Sequence, residues 1–120
     1  KGIVYVARRA DNEILLETLP TKGLLGGMLG FPTSDWSDAP TEAPPMDALW
    51  SDPVAEVRHT FTHFHLRLAL RVADVPQGAA PDRGDFVPRA QFSPSSLPTL
   101  MRKAFDLSRG VTVDAPIRNV

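Results

Sequence analysis

From Glu56 to Val72 the chain reads EVRHTFTHFHLRLALRV, and the second half of this stretch alternates strictly between apolar and polar positions. Phe64, Leu66, Leu68, Leu70 and Val72 share one side; His65, Arg67, Ala69 and Arg71 share the other. A period of two predicts a strand with one buried face. The shorter, more polar run from Glu56 to Thr60 predicts the other arm of a hairpin, with Phe61-Thr62-His63 between the arms. Turns that serve only to reverse the backbone mostly use Gly, Pro, Asn or Asp. An aromatic, a hydroxyl and an imidazole at this tip therefore mark side chains wanted for binding.

The same reading extends along the chain. Gly2 to Arg9 (GIVYVARR) is a strand by its β-branched and aromatic content. Ala10-Asp11-Asn12 is a turn, and Glu13 to Leu19 returns to complete a hairpin. Gly23 to Pro32 (GLLGGMLGFP) sets four glycines among large apolar residues. This predicts backbone at positive φ or in close approach, with Leu and Met side chains filling the core. The segment lacks the Lys and Ser/Thr of a Walker loop and the G-x-G-x-x-G of a dinucleotide loop, which excludes both. Asp38 to Pro53 is loop by its prolines, apart from a helical turn or two over Met46 to Trp50, where Met46, Leu49 and Trp50 fall at i, i+3 and i+4. Asp74 to Asp85 is a turn-rich connection and Phe86-Val87-Pro88 a short strand. Ser95-Ser96-Leu97-Pro98 opens a helix with Ser as its cap. Leu97, Leu100, Met101, Ala104 and Phe105 form its buried stripe, Arg102, Lys103 and Asp106 lie outside it, and Gly110 stops it. The order predicts an α+β fold with a mixed or antiparallel sheet, a short helical segment and a C-terminal helix. One domain covers residues 1–110, and 111–120 form an aperiodic tail expected to be disordered.

Composition narrows the class. With 42% apolar and 22% charged residues among 120, the chain reads as one globular domain. No apolar run approaches the ~20 residues of a membrane span, and no signal-peptide pattern is present, so no membrane partner is expected. The absence of Cys excludes disulfides, thiolate zinc sites and cysteine nucleophiles within this sequence, and agrees with a cytoplasmic setting. Because Lys1 already stands inside a strand pattern, the chain is expected to be a piece of something longer. The net charge of −1 masks an asymmetry: Gly23 to Val57 holds six acids and no Lys or Arg, leaving 13 basic residues against eight acids elsewhere. If the acidic segment lies on one side, that remainder offers a mildly basic surface to a polyanion; the alternative on charge alone is a mixed, solvated surface. His59, His63 and His65 suggest a metal centre, but neither Cys nor any close carboxylate beyond Glu56 completes a tetrahedron, so none is expected. Glu56 and Asp52, the carboxylates near the hairpin, form no recognisable acid–base pair.

GLLGGMLGFP, VRHTFTHFHLRL and SLPTLMRKAFDL, in that order and spacing, closely resemble the C-terminal domain of the MutY family of adenine DNA glycosylases. The resemblance covers nearly the whole chain, and the HTFTHFH run followed by LPTLMRK is its most specific part. It implies a Nudix-like fold and recognition of 8-oxoguanine opposite the adenine that the enzyme removes. The implied partners are duplex DNA with A:8-oxoguanine or A:G mispairs and an N-terminal catalytic domain of the same protein. That catalytic domain would hold the carboxylates and an iron–sulfur cluster; no catalytic residue and no cofactor is assigned to the present sequence. The setting implied is bacterial, cytoplasmic and DNA-associated. Thr62 stands where the family often has Ser. In 8-oxoguanine the N7 acceptor of guanine becomes an N–H donor beside a new C8 carbonyl, so a hydroxyl at the tip accepts from one while a backbone N–H donates to the other. Phe61 is assigned to the base step or the lesion, with a core anchor as its alternative, and His63 to a phosphate or to bracing the loop; the alternative for Thr62 is a plain turn hydroxyl. Arg58 and His59 complete the lesion- and DNA-binding set. Arg58, Arg67 and Arg71 flank the hairpin as candidate phosphate contacts, with solubility and cross-strand pairing the first assignment for Arg67 and Arg71, and Arg102 and Lys103 on the helix are weaker candidates. Two alternatives stand beside this reading. One is a Nudix-like protein-interaction module with an apolar patch at Trp36 and Trp50. The other is a Nudix pyrophosphatase with a degenerate box: the glutamates that hold Mg²⁺ on the box helix are missing from Gly23 to Trp50, which has Glu42 alone and no Arg.

Overall fold

A computed structural model describes residues 1–9, 13–19, 27–61, 65–76, 78–88, 91, 93 and 97–110. Among these residues, strands β1 (Gly2–Arg9), β2 (Ile14–Thr18), β3 (Leu29–Gly30), β4 (Ala55–Thr60), β5 (His65–Val75) and β6 (Asp85–Val87) precede one helix, α1 (Thr99–Arg109). The sheet runs β3-β2-β1-β5-β4, with β6 also on β2. It is mixed: β1 and β5 are parallel from Gly2↔Leu68 to Arg9↔Val75, and the β1–β2, β2–β3, β2–β6 and β4–β5 pairs are antiparallel. β1 meets β2 at Arg8↔Ile14; nearer its start it bonds the 32–34 segment instead, through Tyr5 N–H to the Pro32 carbonyl and Ser34 N–H to the Ile3 carbonyl. The turn expected at 10–12 and the tail at 111–120 lie outside the described residues.

Both faces of the sheet are covered, which explains why Val4, Tyr5, Val6 and Ala7 are all buried although strand side chains alternate. One face carries Val4, Val6, Leu16, Val57, Leu66, Leu68, Leu70 and Val72 against the apolar stripe of α1, in which all five expected residues are buried. Phe31 stacks on Phe105 there, with ring centroids 6.5 Å apart. Arg8 ties the end of α1 to this frame, donating to both Asp74 carboxylate oxygens at 2.7 and 3.0 Å and to the Ser108 carbonyl at 2.9 Å. The opposite face gathers Ala7, Leu15, Ala73 and Val75 under Met46 and Trp50 of the acidic segment. Ala43 N–H donates to the Tyr5 hydroxyl, and Arg83 donates to the Thr33 and Ala43 carbonyls, fixing that segment in place. Arg102 and Lys103 are both exposed on α1.

Three local expectations are corrected. Met46 to Trp50 is a bend without a helix. Met46 is buried and Leu49 is 62% exposed. The Met46 carbonyl accepts from the Trp50 indole N–H at 3.2 Å, so a side chain takes the place that the Trp50 backbone amide would hold in a helix. Met28 is 44% exposed and does not fill the core, because β3 is two residues long and Phe31 beyond it takes the buried position; Leu24 and Leu25 lie outside the described residues. Pro98, not a serine, stands at the N-cap of α1, and no side chain caps the helix; Ser95 and Ser96 are outside the described residues. At the other end Gly110 keeps a right-handed conformation (φ −87°), ending the helix without the left-handed turn glycine often supplies.

Glycine is required at Gly84, where φ is +81° and an added Cβ would stand 2.7 Å from the Leu16 carbonyl oxygen. Gly84→Ala is expected to destabilise the domain by about 1–3 kcal/mol, read as a lower urea midpoint at constant slope. An unchanged midpoint would show that the Gly84–Leu16 approach is not kept in solution.

Candidate nucleic-acid interface

The β4–β5 hairpin is set by the register Arg58↔Arg67, His59↔Leu66 and Thr60↔His65. Of its tip, Phe61 is described, and Thr62, His63 and Phe64 lie outside the described residues. Alternation divides the arms. Val57, His59 and Phe61 turn toward α1, and Glu56, Arg58, Thr60, His65 and Arg67 turn away from it.

On the α1 side, Phe61 is half-buried against the main core, and its ring meets His59 edge-on at 4.8 Å. Lys103 reaches over from α1 and donates to the Arg58 carbonyl at 2.9 Å, with His59 Nδ1 at 3.1 Å from the same ammonium. An ammonium has donors only, so Nδ1 must accept and the ring proton sits on Nε2. Partial burial, and then the Lys103 charge, hold the His59 imidazolium below its usual range. His59 thus presents a neutral N–H donor rather than a second cation. From sequence Lys103, with Arg102, is a weaker phosphate candidate than the hairpin arginines, not a brace for the hairpin. Its place beside the helix stripe gave no sign of which strand it would reach.

On the other side one carboxylate serves two arginines. Arg58 Nε donates to Glu56 Oε1 at 2.7 Å, and Arg67 Nε donates to Oε2 at 3.1 Å. These bonds, Arg58 first and Arg67 second, hold the Glu56 carboxyl below the ordinary carboxylate range. A depressed carboxyl supports the fold above its unfolded-state pKa, and the support is lost as pH falls through the folded-state pKa. The side-chain carbon of Glu56, followed by NMR, is therefore expected to titrate below the ordinary carboxylate midpoint, with amide exchange in the hairpin rising as it does. A normal midpoint would remove the ion-pair triad from the solution structure. Arg71 is engaged elsewhere, by the Ser51 carbonyl at 2.8 Å and by Glu42.

His59 and His65 fall on opposite faces of the hairpin, and among the described residues no three His, Asp or Glu side chains come together. The described part of the segment where Nudix hydrolases carry their glutamate box, residues 27–50, has no helix, and its single glutamate, Glu42, pairs with Arg71. This donor set does not fit a magnesium–diphosphate centre, and no hydrolytic step follows from it. The two tryptophans form no common patch: Trp36 packs with the main core, and Trp50 sits on the other face, edge-on to Tyr5 at 5.2 Å.

With this geometry in hand, the likeness to known proteins is specific. Human adenine DNA glycosylase is 30% identical over 117 residues, covering 82% of this chain and 21% of the relative. The chain thus spans about a fifth of that relative's length. The C-terminal domain of mouse MUTYH, solved in complex with human PCNA, has a TM-score of 0.61 at 18% identity, covering 99% of this chain and 96% of that one. A MutT protein from Methanosarcina mazei Go1 has a TM-score of 0.57 at 14% identity, covering 92% of this chain and 94% of that one. Both structural likenesses are of fold. Residues 3–107 match the NUDIX domain model, and with the mixed sheet and its packed helix they place this chain in the NUDIX domain family.

Proposed function

We propose that this domain reads 8-oxoguanine opposite adenine for an adenine DNA glycosylase whose catalytic groups lie in another part of the protein. The observation that carries the reading is the anchoring of the hairpin: Lys103 bonds β4 at Arg58 and His59, directly beside the tip that carries Phe61, Thr62 and His63. Support also comes from the 30% identity to human adenine DNA glycosylase and from the misfit of the Nudix box region to a magnesium centre. In this reading Thr62 accepts from the N7–H of the lesion, Phe61 packs at the base step, and Arg58, His59 and His63 meet the surrounding backbone. The glycosylase would be a DNA repair enzyme acting on A:8-oxoguanine and A:G mispairs, with its iron–sulfur cluster in the catalytic half.

The test compares a catalytic half alone with the same half joined to this domain, following adenine release from A:8-oxoguanine and A:G duplexes at one salt concentration. The joined protein is expected to favour 8-oxoguanine more strongly. Equal preference in both would reject the reading, and adenine release by the 120-residue chain alone would reject the division of labour. A second reading, docking of a protein partner, has behind it the complex of the mouse domain with PCNA and the exposure of Leu49 and Val54 at 62% and 46%. Loss of partner capture in Leu49→Asp, with lesion preference unchanged, would favour it.

A further inference from the structure

Arg58 and Arg67 are direct cross-strand partners, a position in which like charges repel. Glu56, on the same face, sets one oxygen on each guanidinium. One carboxylate between two guanidiniums leaves a positive charge over. Both arginines are largely solvent-facing, at 75% and 50% of their side-chain surface, and with Thr60 and His65 they line a shallow recess running toward the tip. Thr60 Oγ1 and His65 Nδ1 are 2.8 Å apart, which closes that end. Beyond Arg67 the next cation on this face, Arg71, is already held by Glu42 and Ser51. Among the described residues of this face, the uncompensated charge thus falls on the Arg58–Arg67 pair. Guanidinium forks match phosphate oxygens bidentately, and a phosphate carries acceptors for both forks where a tethered carboxylate divides its two oxygens between them.

We propose that Arg58 and Arg67 form a seat for one backbone phosphate of a DNA duplex, which Glu56 occupies in the free domain and yields when the phosphate arrives. This rests on the reading that the hairpin meets DNA, and it assigns the face turned away from α1 a task separate from base reading at the tip. Phosphate contacts set register and orientation without sequence information, so the seat acts on damaged and undamaged duplex alike.

The test measures affinity of the full-length protein for an undamaged duplex across a salt series. The proteins are wild type, the double variant Arg58→Ala/Arg67→Ala, and Glu56→Gln. Loss of one phosphate contact is expected to make the log–log salt slope shallower by about 0.9, so that a fourfold rise in salt weakens the double variant roughly 3.5-fold less than wild type. Glu56→Gln is expected to bind more tightly than wild type, a gain that a misfolded domain does not produce. An unchanged slope in the double variant, or equal or weaker binding by Glu56→Gln, overturns the proposal. An unchanged slope accompanied by lost binding of an acidic peptide such as poly-glutamate also overturns it, and moves the seat to a protein partner. The two readings fail separately. If Thr62→Ala leaves lesion preference intact while the slope changes as expected, lesion reading fails and the seat stands; the reverse pattern removes the seat alone.

Discussion

Thr62→Ala, in this domain joined to a matching catalytic half, is expected to lower the preference for A:8-oxoguanine over A:G in adenine release by about 1–3 kcal/mol, or roughly 5- to 150-fold. Guanine presents an acceptor at N7, whereas the lesion presents an N–H donor there. A hydroxyl adapts to the donor by accepting from it, and alanine removes that acceptor while leaving the backbone unaltered. The loss should fall on the lesion substrate, since the A:G duplex offers no N7–H to lose. Phe61→Ala is expected to lower both preference and stability, because Phe61 packs partly against the core and edge-on to His59. The urea midpoint separates the two effects. Unchanged discrimination in both variants would confine the tip to a structural role and make partner docking the leading account.

Phe31→Ala is expected to destabilise the domain by about 3–5 kcal/mol. Phe31 is fully buried, stacks on Phe105 of α1, and adjoins Pro32, whose carbonyl accepts from Tyr5 N–H of the central strand. Alanine would leave a cavity between helix and sheet where neither can close without disturbing the other. Against a total stability of roughly 5–15 kcal/mol for a domain, this brings a variant close to unfolding. Urea denaturation checks it: a midpoint shift equivalent to less than about 1 kcal/mol would mean that the core collapses around the missing ring. Phe31→Ala should lower the lesion preference only in proportion to the loss of folded domain, in contrast to Thr62→Ala, which lowers it with the fold intact; the urea midpoint tells the two apart.

Much of the frame was legible from local pattern. β1 follows the GIVYVARR run from end to end, the helix stripe from Leu97 to Phe105 is buried as its spacing requires, and the alternation of Leu66, Leu68, Leu70 and Val72 continues into a strand that reaches Val75. The tip residues stand out for their chemistry, and the strand pattern alone assigns Arg58, His59 and Phe61 to the hairpin. Less was legible in the segment between β3 and β4. There an apparent helical spacing at Met46, Leu49 and Trp50 gave way to a bend, in which the Trp50 indole takes the Met46 carbonyl.

What the sequence determined by itself was each residue's periodicity and chemistry: which side of a strand it takes, which stripe of a helix, which groups can donate or accept. Only the tertiary structure decided that Lys103 braces His59, that Glu56 spans Arg58 and Arg67, and that Arg71 is already taken by Glu42. These partners lie 2 to 44 residues apart along the chain. Their meeting depends on strand register and on how the helix crosses the sheet, and both are set by packing of the whole core rather than by any one stretch of sequence.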